Sequence, residues 1–194
     1  MTATLQDRQD IADLMTGWIH RDLAEWDRLR ALFHPGARIE ITWFEGPATD
    51  FVDASARMGT SDLRTKHVIT APYVTFSADG TRAVTETNAI LVGENARLGF
   101  GCTAHNRFLD RVERRDGAWR ITDRKSVYDF ASFTFARGVV DIDQEAVARH
   151  PVEYAALAHL LEATGFPVRR VFATKGSDLE QDIKRSAAEW LREG

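Results

Sequence analysis

Cysteine is nearly absent: the chain of 194 residues contains one, Cys102. A single thiol excludes an internal disulfide framework and any zinc site built on several cysteines, and it is compatible with a reducing compartment. No apolar run approaches the roughly 18 residues that a membrane span needs. The opening MTATLQDRQDIADLM lacks a basic region followed by an apolar stretch, so no secretory signal is expected and the expected location is cytoplasmic. An excess of one charge is also missing. The 25 Lys and Arg nearly balance the 29 Asp and Glu, and a net charge of -4 gives no general pull toward nucleic acid or an anionic membrane. The six histidines are widely spaced and form no HxxxH pair, so no metal is expected. Gly-x-Ser-x-Gly is absent, and GFGC lies inside a strand-like run with no helix after it, which argues against a serine hydrolase elbow and a phosphate loop. Neither a repeat nor a low-complexity segment is visible.

What is present is an ordinary globular composition, 44% hydrophobic and 28% charged. The length suits one domain with an appended segment, able to bury about two-thirds of the surface of its unfolded chain. From Leu5 to Leu32, apolar residues recur at spacings of three and four, which predicts a pair of helices or one helix broken near His20 to Asp22. His34-Pro35-Gly36 is the expected helix stop, and ARIEITW, Ala37 to Trp43, alternates as a strand does. A further helix is expected between Gly46 and Gly59, entered through Pro47. Beyond it the period becomes two: Lys66 to Ser77, Arg82 to Glu94, Arg97 to Arg114 and Ala118 to Phe135 read as strands, with hairpins at Asp79-Gly80 and Asp116-Gly117. Strands this long need bulges, which Gly99 and Gly101 are placed to supply. Asp143 to Arg149, Pro151 to Thr164 and Ser177 to Arg192 form a helical tail, the last helix opened by Ser177 and Glu180 as a capping box. This order predicts an α+β fold with a curved antiparallel sheet, its early helices packed on one face. Such a sheet makes a cone whose open end is an apolar pocket.

One residue at that open end invites chemistry. LRTKHVIT places His67 at the head of a strand, and histidine both takes and returns protons near neutral pH. A carboxylate would hold its ring in one tautomer, and Asp22, at the break in the first helical region, is the candidate partner. The competing reading makes Asp22 a helix N-cap with Glu25 in the capping-box position, and His67 a core or strand-edge residue satisfied by backbone. On GCTAHNRFLD, His105 and Arg107 share one face while Asn106 and Phe108 take the other. Asn88, Tyr128, His105 and Arg107 are strand-borne donors that could polarise a carbonyl or hydroxyl, or else simply line the wet face of the sheet. Trp43 and Phe44 offer an aromatic wall.

EWDRLRALFHPGARIEI, then LRTKHVIT, then RRDGAWRITD, together resemble scytalone dehydratase and its SnoaL-like relatives in the NTF2-like superfamily of cone-shaped α+β barrels. The resemblance covers about residues 11 to 135, and its specific parts are the aspartate five residues before DRLR and the histidine of LRTxH. It implies that Asp22 and His67 occupy the positions of an aspartate-histidine pair that abstracts a proton in a cofactor-free elimination. It also exposes departures. Arg21 and Ile41 stand where the dehydratase has tyrosines that activate the substrate carbonyl, and no histidine occurs near Val92 to Glu94, where the dehydratase has a second one. Scytalone is therefore not the expected substrate.

The resulting expectation is an NTF2-like catalytic domain over residues 1-138 and a helical extension over 139-194 that covers the cone mouth or joins subunits. The expected activity is a cofactor-independent lyase of the dehydratase or eliminase type, with His67 and Asp22 catalytic and Trp43, Asn88, His105, Arg107 and Tyr128 binding a small hydrophobic, cyclic or aromatic substrate. An isomerase, polyketide cyclase or carbon-carbon lyase would use the same pair, and the rival class is a non-catalytic binding protein. A homodimer or homotrimer is implied by the resemblance.

Overall fold

The computed structural model describes residues 3–193. Helix α1 (Leu5–Thr16) starts at a reciprocal cap: the Thr4 hydroxyl accepts from the Asp7 amide, and the Asp7 carboxylate accepts from the Thr4 amide. Two short helices follow, α2 (Ile19–Asp22) and α3 (Trp26–Ala31), so the region breaks twice, at residues 17–18 and 23–25, on either side of the position expected near His20 to Asp22. At the second break Ala24 takes φ 56°, a left-handed turn that a non-glycine residue adopts at some cost. The turn ends α2 directly after Asp22.

Strand β1 (Phe33–Ile41) begins earlier than expected, because His34-Pro35-Gly36 is absorbed into the strand as an irregularity in its pairing rather than ending a helix outside it. Next come β2 (Phe44–Pro47) and α4 (Ala48–Met58), entered through Pro47 as the sequence suggests. The run from Lys66 to Ser77 is two strands, β3 (Leu63–Ile69) and β4 (Tyr73–Phe76), separated at Pro72, which has no amide to donate and constrains the residue before it. The long strands β5 (Arg82–Asn95), β6 (Phe100–Arg115) and β7 (Ala118–Thr134) complete the sheet. The β6–β7 hairpin turns on Asp116 and Gly117, both at positive φ, as a two-residue loop requires.

The seven strands run β2-β1-β7-β6-β5-β3, with β4 also on β5. The sheet is mixed rather than wholly antiparallel, since β1 lies parallel to β7. Alternation in a sequence reports which face a residue takes, not strand direction. Here α4 carries the chain from the β1–β2 edge to the opposite edge, and the antiparallel return through β3, β5 and β6 brings β7 in alongside β1. The bulges also fall elsewhere than at Gly99 and Gly101. They place the extra residues Thr122 and Asp129 in β7, whereas Gly101 permits close strand approach, a Cβ there lying 2.2 Å from the Gly93 carbonyl oxygen.

The helices α1 to α4 fill the concave face, where Trp18 stacks on Phe51 at 5.5 Å and meets Phe108 at 5.3 Å. The tail forms α5 (Gln144–Val147), α6 (Ala155–Ala163) and α7 (Asp178–Arg192). Leu157, Leu160 and Leu161 of α6 pack into the mouth of the cone beside Phe100, Cys102 and Tyr128. The last helix instead lies over the convex face, where Glu180 meets Arg107. Ser177 caps it through the Glu180 amide, but the Glu180 carboxylate bonds the Gly176 amide and Arg107 instead of closing the expected box. No described helix is long and apolar enough to cross a membrane.

Candidate active site

Alternation along β3 turns Leu63, Thr65 and His67 into the cone and leaves Arg64, Lys66 and Val68 outside. On the adjoining α2, the last residue before the turn is Asp22. Its carboxylate meets His67 twice, one oxygen accepting from the backbone amide at 2.6 Å and the other lying 2.7 Å from Nδ1. The side chains are 6% and 2% exposed, respectively for His67 and Asp22. Asp22 therefore does not cap α3, and Glu25 is engaged with His20 and Arg28.

The electrostatics suit a neutral base. Burial pushes His67 below the usual histidine value; the Asp22 bond opposes this, while the charges of Arg21 and Arg124 push the same way. Burial would raise Asp22, but the side-chain and backbone hydrogen bonds from His67, with the charges of His67 when protonated and of Arg21, outweigh it and hold the carboxyl below its ordinary range. An ionised Asp22 can only accept, so Nδ1 carries the ring proton and Nε2 keeps its lone pair. Nε2 makes no hydrogen bond among the described residues, and the ring borders a cavity, with Trp18 edge-on at 5.9 Å.

That cavity lies between the inward faces of β3, β5, β6 and β7 and the underside of α6. Its polar lining includes Arg21, Thr42, Thr65, Asn106, Ser126 and Tyr128. Tyr128 accepts from the Thr42 amide at 3.1 Å, and Asn106 donates to Ser126 at 2.7 Å. Trp43 lies on the wall, in contact with Phe44 and Phe51. The enclosed space is about 40 Å³, far below the roughly 300–1,000 Å³ of a ligand pocket. Leu160 is among the side chains that narrow it: it is 1% exposed, and a Cβ on Gly93 would lie 2.9 Å from its methyl group. Leu160→Ala is expected to lower stability by about 2–5 kcal/mol and to enlarge the cavity, so that an apolar probe such as indole binds more tightly than to the wild-type chain by calorimetry. Unchanged indole binding would mean that Leu160 does not fill the ligand space.

The structure brings together His67, Asp22, Trp43 and Tyr128. It separates them from the other expected binding residues. Asn88 is exposed on the outer face of β5. His105 stacks on Phe130 at 4.2 Å and Arg107 binds Asp129 and Glu180, both on the convex side. Parity explains this: Asn106 and Phe108 take the concave face, so their neighbours on either side cannot. Sequence reasoning left Asn106 unassigned, although its alternation with Phe108 was a usable signal. Arg21 entered only as a departure from a tyrosine of the dehydratase, and Ser126 carried no signal, because a serine in a strand reads as solvated. Among the described residues, no group of three or more His, Cys, Asp or Glu is arranged to hold a metal ion.

Residues 3–125 match the SnoaL-like domain family. The chain belongs to that family. A PEP2-like protein of Fusarium vanettenii is 30% identical to this SnoaL-like chain over 205 residues, covering 95% of this chain and 85% of that protein. Pea pathogenicity protein 2 of the same fungus is 27% identical over 200 residues, with the same coverage. A scytalone dehydratase-like protein from Novosphingobium aromaticivorans matches the fold at TM-score 0.59 and 18% identity, covering 71% of this chain and 94% of that one. A type 2 hexachlorocyclohexane dehydrochlorinase gives TM-score 0.59 and 18% identity, with 72% and 95% covered. At these identities the two structures speak for the SnoaL-like fold, a curled mixed sheet packed with helices.

Proposed function

We propose that this SnoaL-like chain is a cofactor-independent lyase of the dehydratase or eliminase type. His67 Nε2 takes a proton from carbon in a hydrophobic, cyclic or aromatic substrate, and Asp22 orients the ring and balances the imidazolium that forms. The observation that carries this reading is the bond of 2.7 Å between Asp22 and Nδ1, made in a nearly dry setting, with the other ring nitrogen left unbonded beside the cavity. Isomerisation, cyclisation and carbon-carbon cleavage begin with the same step.

Carbonyl-containing aromatic and terpenoid compounds incubated with the protein in deuterated water should gain deuterium at the acidic carbon. A His67→Ala chain should not support the exchange. Equal exchange in both would remove the base from the mechanism.

The pH dependence has a definite sign. The base works only when neutral, and its environment moves it below 6.5, so exchange should rise from acid pH with a midpoint below 6.5. Activity falls as pH drops through the folded-state value. An acid limb centred above 6.5 in the pH profile would contradict the proposed environment of His67.

A further inference from the structure

Arg21 is the least explained group in the cavity wall. Its side chain is 6% exposed, yet it is engaged only lightly for a buried guanidinium. Nη1 donates to the Thr65 hydroxyl at 3.0 Å, and Nη2 lies 3.2 Å from the Met58 sulfur, a weak acceptor. Nε is buried and has no hydrogen-bond partner. The one nearby carboxylate, Asp22, stands 4.0 Å away and is already committed to His67 through both oxygens. A guanidinium carries five N–H donors, and a buried one normally finds a carboxylate for its fork. Leaving it so poorly matched is expensive, which marks it as a group whose partner arrives from outside.

Its surroundings say where that partner would sit. Thr65, Met58 and His67 border the same cavity, and Trp43, also on the wall, lies with its ring 6.0 Å from the guanidinium carbon. Burial pulls Arg21 down to about 10, partly opposed by Asp22, so it remains a cation at neutral pH.

We propose that Arg21 receives the substrate oxygen, and that the substrate is an uncharged carbonyl compound whose oxygen becomes an enolate against this guanidinium. The assignment rests on the proton abstraction proposed above. His67 Nε2 removes the proton on the carbon next to the carbonyl. The C–H electron pair becomes the carbon-carbon double bond of the enolate, and the carbonyl π pair moves to the oxygen. Collapse of the enolate then expels a group from the β carbon with its bonding pair, and a leaving hydroxide takes the proton back from His67 as water. No other reactant is needed.

Charge balance selects the uncharged substrate. Arg21 and Asp22 cancel one another, and the deeper pair of Arg124 and Asp110 closes on itself at 2.7 Å. A neutral ketone enters without adding charge, and proton transfer creates imidazolium and enolate together, so the cavity stays neutral throughout. A carboxylate substrate would leave one uncompensated negative charge there, next to Asp22.

Three aromatic probes of similar size separate these cases: 4-nitrophenol, whose phenolate mimics an enolate and absorbs differently from the phenol; 4-nitroanisole, which is uncharged; and 4-nitrobenzoate. The full chain should bind the phenol in its ionised form, tenfold or more tightly than the anisole. Arg21→Met should remove that preference while changing anisole affinity less than threefold, and Arg21→Lys, which keeps the charge and guards against loss of the fold, should retain part of it. Because the phenol enters uncharged and passes its proton to His67 Nε2, the phenolate absorbance should weaken in His67→Ala; phenolate that persists there but is lost in Arg21→Met would keep the anion site and remove the base. The assignment is overturned if phenol and anisole bind alike, if Arg21→Met weakens both equally, or if benzoate binds as tightly as phenolate.

Discussion

Replacing His67 by Ala is expected to lower the rate of deuterium exchange by about 10²–10⁴-fold, the range in which a positioned general base contributes. Asp22→Asn is expected to fall in the same range while the fold is retained. An asparagine can still accept from the His67 amide through its oxygen, but the NH2 group then faces Nδ1 and favours the tautomer whose proton sits on Nε2. The ring would remain near its place and lose the lone pair it needs. The check is a three-way comparison of wild type, His67→Ala and Asp22→Asn on the same substrate, with thermal melts alongside. Exchange that survives Asp22→Asn at the wild-type rate would show that the carboxylate is only a structural tie.

Asp110→Ala is expected to be the most damaging single change to stability, at about 3–5 kcal/mol, because it strands a buried cation. Arg124 is 1% exposed and Asp110 fully buried. The pair is bidentate, Nε to one carboxylate oxygen at 2.7 Å and Nη2 to the other at 2.8 Å. The guanidinium is also clasped between rings, 4.5 Å from Trp18 and 4.3 Å from Phe108. In a chain of this size the loss should lower the melting temperature by roughly 6–20 °C. Removing both partners, as Asp110→Leu with Arg124→Met, should recover most of it, since an apolar pair of similar volume avoids the stranded charge. A double variant as unstable as the single one would show that the ring clasp, rather than the ion pair, carries the stability.

Much of the fold was legible because apolar periodicity records burial directly. The switch from helical spacing to alternation after Met58, the hairpin at Asp116-Gly117 and the three tail helices all follow from local chemistry. The parallel neighbour of β1 and the bulges at Thr122 and Asp129 depend on pairing between distant segments, which alternation does not encode, whereas the division at Pro72 had a local signal in the proline itself. The site was legible by the same rule. Asp22 and His67 stood out as a rare pairing of chemistry with position, and Trp43 and Tyr128 as strand-borne aromatics. His105, Arg107 and Asn88 were placed by residue type without knowledge of which face is concave. One fixed reference, such as the inward Phe108, decides all three.

The double grip of Asp22 on His67 also matters to how the molecule behaves in company. Strand β3 ends one side of the sheet, and its outward amides are groups through which another chain could add a strand. The His67 amide is one of these, and the Asp22 carboxylate occupies it at 2.6 Å. Outward Arg64 and Lys66 flank the same stretch with positive charge, which further discourages a second strand. Protection against edge-to-edge aggregation and the placement of a proton acceptor thus share one side chain.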